Sequence, residues 1–336
     1  MTNAVDQTLR VPNRHGLRLK GASLKGLGPA AVLIAMIAIF TVSSAAFPTL
    51  DNMKAILEGS AVPVVLVVGL TFVLIQGSID LSIEGVTASS SMVVSLLIAN
   101  SATQERLGWL AILAAVACGA IFGLANGLLY TVLRLPSLIV TLGTWFIGLG
   151  VATLLFPGRQ PEILDPGLTR LALDKGWGVS ALVYLAFAFA MVGYGIQNHT
   201  QFGRLCYAIG ADEKTTRLSG LPVGFHKVLA FTLMGVVSGA GGVMISAQLG
   251  VGNPAAGDGF LFPAISAAVV GGTLLSGGKG GVIQSVVGVL ILEVLRNGMI
   301  QLGVDPYLRH IVEGVTIIGA LVAGNWRLRG RLRIVK

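Results

Sequence analysis

The sequence predicts an all-α fold: a polytopic bundle of about ten transmembrane helices, some of them discontinuous. Composition is the first observation behind this prediction, because 54% of the 336 residues are hydrophobic and only 11% are charged, against about 25% charged residues in soluble domains. The second is the number of glycines, 46, since glycine lets membrane helices pack closely and break beside protein-lined cavities. Both observations argue against a soluble domain and favour a transporter or channel.

The transmembrane domain is expected to cover residues 28–323, because apolar runs close to the ~20 residues of one span recur along it. The predicted spans lie near residues 28–47, 60–76, 85–99, 108–133, 137–156, 178–197, 227–250, 261–275, 281–303 and 307–323. The first run is longer than the apolar core of a signal peptide, and further spans follow it, so it is expected to be an uncleaved anchor.

Basic residues indicate the orientation of these spans. The net charge is +8, and Lys and Arg concentrate in residues 1–27, in residues 324–336 and in short segments beside apolar runs. Because cytoplasmic loops are enriched in Lys and Arg, both terminal segments are predicted to be cytoplasmic tails. This topological pattern accounts for the positive charge, and no nucleic-acid partner is predicted.

A polar segment interrupts the apolar pattern at residues 76–85, with the sequence QGSIDLSIEG. A carboxylate at membrane depth must face water, a helix terminus or hydrogen-bond donors. One interpretation is that Asp80 and Ser82 shape a helix break beside a translocation path. The other is that Asp80 merely caps the N-terminus of the helix at residues 85–99. Both interpretations remain open from the sequence.

A glycine-rich segment at residues 271–281 superficially resembles a phosphate-binding loop. It lacks the required pattern of Gly, four residues, Gly-Lys and then Ser or Thr, because Thr273 replaces the first Gly and Gly280 follows Lys279. We therefore predict a tight cytoplasmic turn. The four histidines show no metal-ligand spacing and no Ser-His-Asp arrangement, so neither a metal site nor catalysis is predicted.

Residues 198–226 form a polar, basic loop that is predicted to be cytoplasmic. In this loop Gly210 is expected to end one helix, Asp212 to cap the next, and Gly220 with Pro222 to stop it. The short helix is either an ordinary surface helix or a knob that inserts into a groove of a partner.

Two weaker patterns concern polar residues inside spans. Asn126-Gly127 precedes Pro136 much as Asn297-Gly298 precedes Pro306, which agrees with an inverted repeat and also with chance. Glu293 and Arg296 are three residues apart, a spacing that favours an ion pair on one helix face over contact with a substrate.

Several short motifs together carry a resemblance that covers residues 45–323. They lie at residues 69–73, 77–82, 126–129, 138–144, 208–210, 218–220, 271–273 and 278–280. Jointly they resemble the permease subunits of bacterial ABC importers for monosaccharides of the ribose, xylose, arabinose and galactose type. Such permeases usually have Asn-Glu-x-Ala-Ala before Leu-Ser-Gly, where this chain has DEKTT at residues 212–216, and Glu84 stands where glycine is common. These departures leave the ATPase partner and the pathway geometry open.

The resemblance implies a multi-pass protein of the inner (plasma) membrane that pairs with a second copy or a close homologue. Its other partners would be two cytoplasmic ATPase subunits, which bind ATP and Mg, and an extracytoplasmic sugar-binding protein; no cofactor is expected in this chain. The loop at residues 198–226 would couple to the ATPase through Gly203, Arg204, Ala208, Gly210, Asp212, Glu213, Arg217, Ser219 and Gly220. The predicted candidates for the translocation pathway are Asp80, Ser82, Asn126, Thr141, Thr144 and Asn297.

The function predicted from these observations is inward transport of a monosaccharide or related polyol by alternating access, driven by ATP hydrolysis on the partner subunits. The chain itself is not expected to be an enzyme. An ion-coupled secondary transporter of a small polar solute is the alternative, with Asp80 as its only attractive ion ligand. The identity of the sugar and the choice between homodimer and heterodimer stay open.

Overall fold

The computed structural model describes residues 28–325, and helices dominate them. In chain order the helices are α1 (Gly28–Ser43), α2 (Leu50–Ile75), α3 (Ile83–Leu97), α4 (Trp109–Val132), α5 (Ser137–Leu154), α6 (Pro166–Leu173), α7 (Ala181–His199), α8 (Gln201–Ala211), α9 (Glu213–Leu218), α10 (Val223–Leu249), α11 (Leu261–Val270), α12 (Val282–Gln301) and α13 (Pro306–Asn325). Between α6 and α7, strands β1 (Lys175–Gly176) and β2 (Val179–Ser180) pair antiparallel. The predicted tail at residues 1–27 and residues 326–336 of the other tail lie outside the described residues.

The helical membrane character of the chain is confirmed, and each predicted span overlaps one helix. Among the described residues, six helices are long and apolar enough to cross a bilayer, namely α2, α4, α5, α7, α10 and α12. The apolar helices α1, α3 and α11 have only 16, 15 and 10 residues, against about 20 for a complete span. The count of ten spans therefore stays a prediction, and so does the inverted repeat.

The second span begins earlier than predicted, at Leu50 instead of near residue 60. The hydroxyl of Thr49 accepts a hydrogen bond from the backbone N–H of Asn52 and so caps the helix. Asp51 in the first turn is favourable at the positive end of the helix dipole. The first turns are polar, which hides them from a search for apolar runs.

The centre of the bundle is formed by α2 and α10. The buried share of the most apolar 18 residues of each helix shows this. It is 78% in α2 and 61% in α10, compared with 28% in each of α4, α5 and α7. Helix α10 packs against α4, α3 and α2, while α12 packs against α11, α2 and α1. Helices α4, α5 and α7 therefore lie on the outside of the bundle and expose most of their apolar surface.

Helices α4 and α10 meet along a seam of glycines, which we call the glycine seam: Gly119 and Gly123 on α4 face Gly235 and Gly239 on α10, and Gly127 on α4 packs against the backbone of Val228. A Cβ atom at Gly119 would overlap the carbonyl oxygen of Gly235, and one at Gly123 would overlap the carbonyl oxygen of Phe231. The two backbones are thus in direct contact. This arrangement is the close helix packing that small residues four positions apart allow in membranes.

Candidate functional site

The predicted helix break between α2 and α3 is confirmed, and it occupies residues 76–82, which we call the break segment. Gln76 ends α2, and Gly77 follows with a φ of +76°, a left-handed conformation that glycine adopts readily. The side chain of Asp80 is buried; its Oδ1 accepts hydrogen bonds from the backbone N–H of Ser82 at 2.8 Å and from the Ser82 hydroxyl at 2.6 Å.

The interpretation of Asp80 as the N-cap of the next helix is wrong. Ser82 occupies the N-cap position of α3 and makes no side-chain capping bond. The carboxylate of Asp80 instead turns onto Ser82 itself, because the Ser82 N–H and hydroxyl are the donors that the buried charge requires. Asp80 therefore fixes the shape of the break segment and does not cap α3.

A polar cluster forms where α4 approaches the break segment, and we call Asp80, Ser82 and Asn126 the Asp80 cluster. The side-chain amide of Asn126 donates a hydrogen bond to the Ser82 hydroxyl at 2.9 Å, while Asn126 Oδ1 is buried and has no hydrogen-bond partner within residues 28–325. An unpaired buried acceptor costs free energy. Asn126 thus offers an open acceptor next to the buried Asp80.

The remaining pathway candidates are only partly brought to this cluster. On α5, the Thr141 hydroxyl donates to the Ser137 carbonyl at 2.9 Å and lies 3.5 Å from the carbonyl oxygen of Ile79 in the break segment. The hydroxyl of Thr144 bonds only to carbonyls of its own helix. Asn297 lies on α12, which packs against α1, α2, α7 and α11, so it stands apart from the cluster.

Removal of the carboxyl group of Asp80 is expected to destabilise the fold, whereas replacement of the acid by its amide is not. In Asp80→Ala the buried N–H of Ser82 loses its acceptor, which costs about 1–3 kcal/mol. In Asp80→Asn the amide oxygen still accepts. Thermal unfolding of the detergent-purified variants measures the difference. Equal destabilisation by both substitutions would show that the negative charge, and not the hydrogen bond, holds the break segment.

Glu84, the departure from a common glycine, has a structural role. Its Oε1 accepts hydrogen bonds from the backbone N–H groups of Gly259 at 3.1 Å and Leu261 at 3.0 Å. These amides precede and begin α11 and have no partner within that helix. Glu84 therefore ties the start of α3 to the start of α11.

The predicted loop at residues 198–226 contains the consecutive helices α8 and α9. Asp212 separates them and caps α9 as predicted, because it accepts hydrogen bonds from the Thr215 backbone N–H at 3.0 Å and from the Thr215 hydroxyl at 2.6 Å. These bonds, the hydroxyl first, lower the pKa of Asp212. Gly220, with a φ of +77°, follows the end of α9 as predicted.

The prediction that Gly210 ends a helix is wrong. Gly210 lies inside α8, which continues to Ala211. A Cβ atom at this position would overlap the carbonyl oxygen of Ile75 and would lie 2.5 Å from the backbone nitrogen of Gly278. The absence of a side chain is therefore required by close packing and not by helix termination.

Three backbone segments meet at Gly210, and we call this meeting point the glycine junction. The segments are the end of α2, the last turn of α8 and the predicted glycine-rich turn at residues 271–281. The Gly278 N–H donates to the Ile75 carbonyl at 2.8 Å, and the Tyr207 hydroxyl donates to the Gly280 carbonyl at 2.6 Å. The tight turn is confirmed, and it follows α11 instead of the β-strand that a phosphate-binding loop requires.

Some of the other predicted coupling residues are packed against the bundle, and the rest are exposed. Gly203 is buried against the end of α7, where a Cβ atom would overlap the Gln197 carbonyl, and Ala208 is half-buried. The exposed residues of this group are Arg204, Asp212, Arg217, Ser219 and Gly220. At the end of α9, Leu218 is 79% exposed.

A buried lysine that no sequence pattern singled out, Lys227, connects α9 to the bundle. The side chain of Lys227 is 6% exposed, and its ammonium donates to Glu213 Oε2 at 2.6 Å and to the Tyr130 hydroxyl at 2.7 Å. Arg217 also pairs with Glu213, at 2.8 Å. Partial burial would raise the pKa of Glu213, but the hydrogen bonds and charges of Lys227 and Arg217 hold it below its ordinary value.

The predicted ion pair between Glu293 and Arg296 is wrong. Both residues line a cavity of about 510 Å³ between α2, α11, α12 and α13. Of the ion pairs within residues 28–325, none joins them. The Glu293 carboxylate lies instead against Gly59 of α2, where an added Cβ atom would overlap it, so Arg296 attracts it electrostatically without a direct contact.

Comparison with known proteins places the chain among transport proteins. The family model described as branched-chain amino acid transport system / permease component matches residues 52–321. The ribose import permease protein RbsC of Escherichia coli K12 is 33% identical over 300 residues, 87% of this chain and 91% of that protein.

Two further proteins of the same strain are similar over a comparable length. The L-arabinose transport system permease protein AraH is 31% identical over 301 residues, 90% of each chain. The galactose/methyl galactoside import permease protein MglC is 32% identical over 314 residues, 89% of this chain and 93% of its own. No solved structure matches the chain.

Proposed function

This chain belongs to the family of transport-system permease components, and from that membership we propose that it is the membrane subunit of an ABC importer for a monosaccharide or related polyol. The carrying observation is the similarity to ribose, arabinose and galactose permeases over 87–90% of the chain. The family description names branched-chain amino acids. A sugar is favoured because these three similar permeases are named for sugars.

The proposed driving force comes from partner subunits. In this proposal two ATPase subunits bind ATP and Mg, and each docks on the exposed α9 of one permease, within a pair formed by two copies or by this chain and a close homologue. The support is the protrusion of α9, with Leu218 79% exposed between Arg217 and Ser219. Short exposed helices of this kind fit grooves of partner proteins.

The proposed topology rests on the distribution of basic residues along the chain. The protein is a multi-pass protein of the inner membrane, its ten spans fill residues 28–323, and the tails at residues 1–27 and 324–336 are cytoplasmic. α9 lies on that cytoplasmic side, and an extracytoplasmic binding protein delivers the sugar to the opposite face. The support is the enrichment of Lys and Arg in the tails and in residues 198–226.

The proposed route for the sugar passes beside the break segment. The Asp80 cluster provides buried polar groups where α2 and α3 are interrupted, and broken helices of transporters line substrate sites. Sugar hydroxyls both donate and accept hydrogen bonds, so the unpaired Oδ1 of Asn126 suits them. Alternating access would change the exposure of this cluster from one membrane face to the other.

Purification of the tagged chain, with identification of every co-purifying protein, tests the function directly. An ATPase subunit that co-purifies, together with ATP-dependent sugar uptake by proteoliposomes of the assembled complex, is the expected result. A chain that purifies alone and moves solute under a proton or sodium gradient without ATP would establish the secondary-transporter alternative instead.

The substitution Leu218→Asp is expected to reduce the amount of co-purified ATPase by tenfold or more. The carboxylate would be buried in an apolar contact, at a cost of several kcal/mol, and about 1.4 kcal/mol already changes affinity tenfold. Leu173→Asp is the matched control, because Leu173 is 73% exposed on α6, near the opposite end of α7. Equal ATPase recovery from both variants would contradict docking through α9.

A further inference from the structure

A chain of polar contacts connects α9 to the break segment through two other helices. Glu213 on α9 accepts from Lys227 on α10 at 2.6 Å, and Lys227 donates to Tyr130 on α4 at 2.7 Å. The Tyr130 hydroxyl in turn accepts from the Ser78 hydroxyl at 3.2 Å. Ser78 belongs to the break segment, two residues before Asp80. These contacts join residues that are distant in sequence into one connected path.

Stability alone gives a poor account of Lys227. Burial of an ammonium group is costly, and a buried ion pair contributes less stability than well-packed apolar residues of similar volume in many proteins. Lys227 is nevertheless 6% exposed in its side chain, on α10 at the end of the bundle where α9 lies. A leucine or methionine there would pack without the cost of burying a charge.

The aromatic ring of Tyr130 is held in place from two sides, so that its hydroxyl has a defined position. The ammonium of Lys227 lies 4.6 Å from the centre of the ring, within the range of a cation–π contact. The ring of Phe231 approaches edge-on, with centroids 5.7 Å apart. A shift of Lys227 is thereby passed to the hydroxyl that contacts Ser78.

Space for such a shift lies beside the chain of contacts. A cavity of about 300 Å³ is bounded by Tyr130 and Thr131 of α4, by Arg134 just after that helix, by Glu213 and Arg217 of α9, and by the first turns of α10. Helix α9 itself touches the bundle mainly through α8 and α10. A change in the position of α9 relative to α4 would therefore leave the contacts between α2 and α10 in place.

We propose that Lys227 and Tyr130 are positioning residues that transmit movement of α9 to the break segment, and so link ATPase docking to the shape of the Asp80 cluster. This inference rests on the proposed function. Glu213 and Lys227 move together as an ion pair, Tyr130 follows the ammonium, and Ser78 follows the Tyr130 hydroxyl. The two residues act through the break segment and need no contact with the sugar.

The test compares variants of the assembled importer in proteoliposomes, with sugar uptake and ATP hydrolysis measured in the same sample. Tyr130→Phe removes the hydroxyl but keeps the ring, and Lys227→Met removes the charge but keeps the volume. Both are expected to retain ATP hydrolysis while the sugar transported per ATP falls roughly fivefold or more, the range of a typical coupling energy. Lys227→Arg is expected to restore coupling in large part, because it keeps the charge and donors.

The control is Thr131→Val, since Thr131 borders the same cavity and its hydroxyl donates only to the Gly127 carbonyl of its own helix. If Tyr130→Phe left the sugar transported per ATP unchanged, the inference would be overturned. This outcome is decisive even if Lys227→Met fails to fold. The unmodified complex reports on the proposed function separately. If it shows no ATP-driven uptake, the proposed function is wrong and this inference falls with it; if it transports normally while Tyr130→Phe stays fully coupled, only the inference falls.

Discussion

Gly210→Ala is expected to reduce ATP-driven uptake at least tenfold, although the change adds a single methyl group. The new Cβ atom would overlap the Ile75 carbonyl and would lie 2.5 Å from the Gly278 nitrogen. Both obstacles are backbone atoms and cannot rotate away as a side chain could. Overpacking costs roughly 1–3 kcal/mol where side chains can adjust, so a shift of α8 away from α2 is expected here, and α9 moves with it.

Uptake by proteoliposomes and the thermal unfolding temperature of the purified complex measure this effect together. Gly195→Ala on α7 is the matched control, because a Cβ atom there meets no atom of the other described helices within 4 Å. The control is expected to transport at the unmodified rate. If Gly210→Ala retained half of the uptake, α8 would not need its close contact with the glycine junction during transport.

The fold class was predictable because a membrane-spanning helix must be apolar along its length, so apolar runs in the sequence mark the spans. Each predicted apolar run overlaps one helix. The boundaries were less predictable where local chemistry contradicts hydropathy. Thr49, Asp51 and Asn52 form a good helix start, but their polarity placed the predicted start about ten residues too late. The length of a short helix such as α11 depends on its tertiary neighbours, among them Glu84.

Capping chemistry and tertiary packing account for the mixed outcome in the coupling loop. Asp212 and Gly220 act on their own neighbours along the chain, so the sequence predicted them correctly. Gly210 was wrongly predicted to end a helix, because a glycine followed by a capping residue is a typical helix end in the local sequence. Its contacts come from Ile75 and Gly278, which are far away in sequence, and no local pattern contains them.

The candidate site shows the same division. Asp80, Ser82 and Asn126 were each named from the sequence, but the hydrogen bond between Asn126 and Ser82 follows from the packing of α4. Lys227 was missed because the enrichment of basic residues in cytoplasmic loops already explained a charge at that position. Its burial and its contact with Tyr130 become visible only when α4 and α10 are brought together.

Gly123→Val is expected to prevent α4 and α10 from packing and to remove most of the folded protein from the membrane. The Cβ atom would overlap the Phe231 carbonyl oxygen. It would also lie 3.0 Å from the backbone nitrogen and from the Cα atom of Gly235. Since membrane helices associate through close packing and not through the hydrophobic effect, separation of the backbones removes the main attraction between the two helices. The expected loss of stability is about 3 kcal/mol or more.

The yield of monodisperse protein in detergent, together with its thermal unfolding temperature, measures this loss. Gly150→Val provides a matched control, because Gly150 lies on α5 and a Cβ atom there has open space around it. The spacing of the seam identifies a further variant: Gly235→Val introduces its Cβ atom at the same interface from α10 and should have the same effect. Normal yields for both seam variants would mean that α4 and α10 tolerate separation, and the regular interval of four residues between Gly119, Gly123 and Gly127 would then have no role in packing.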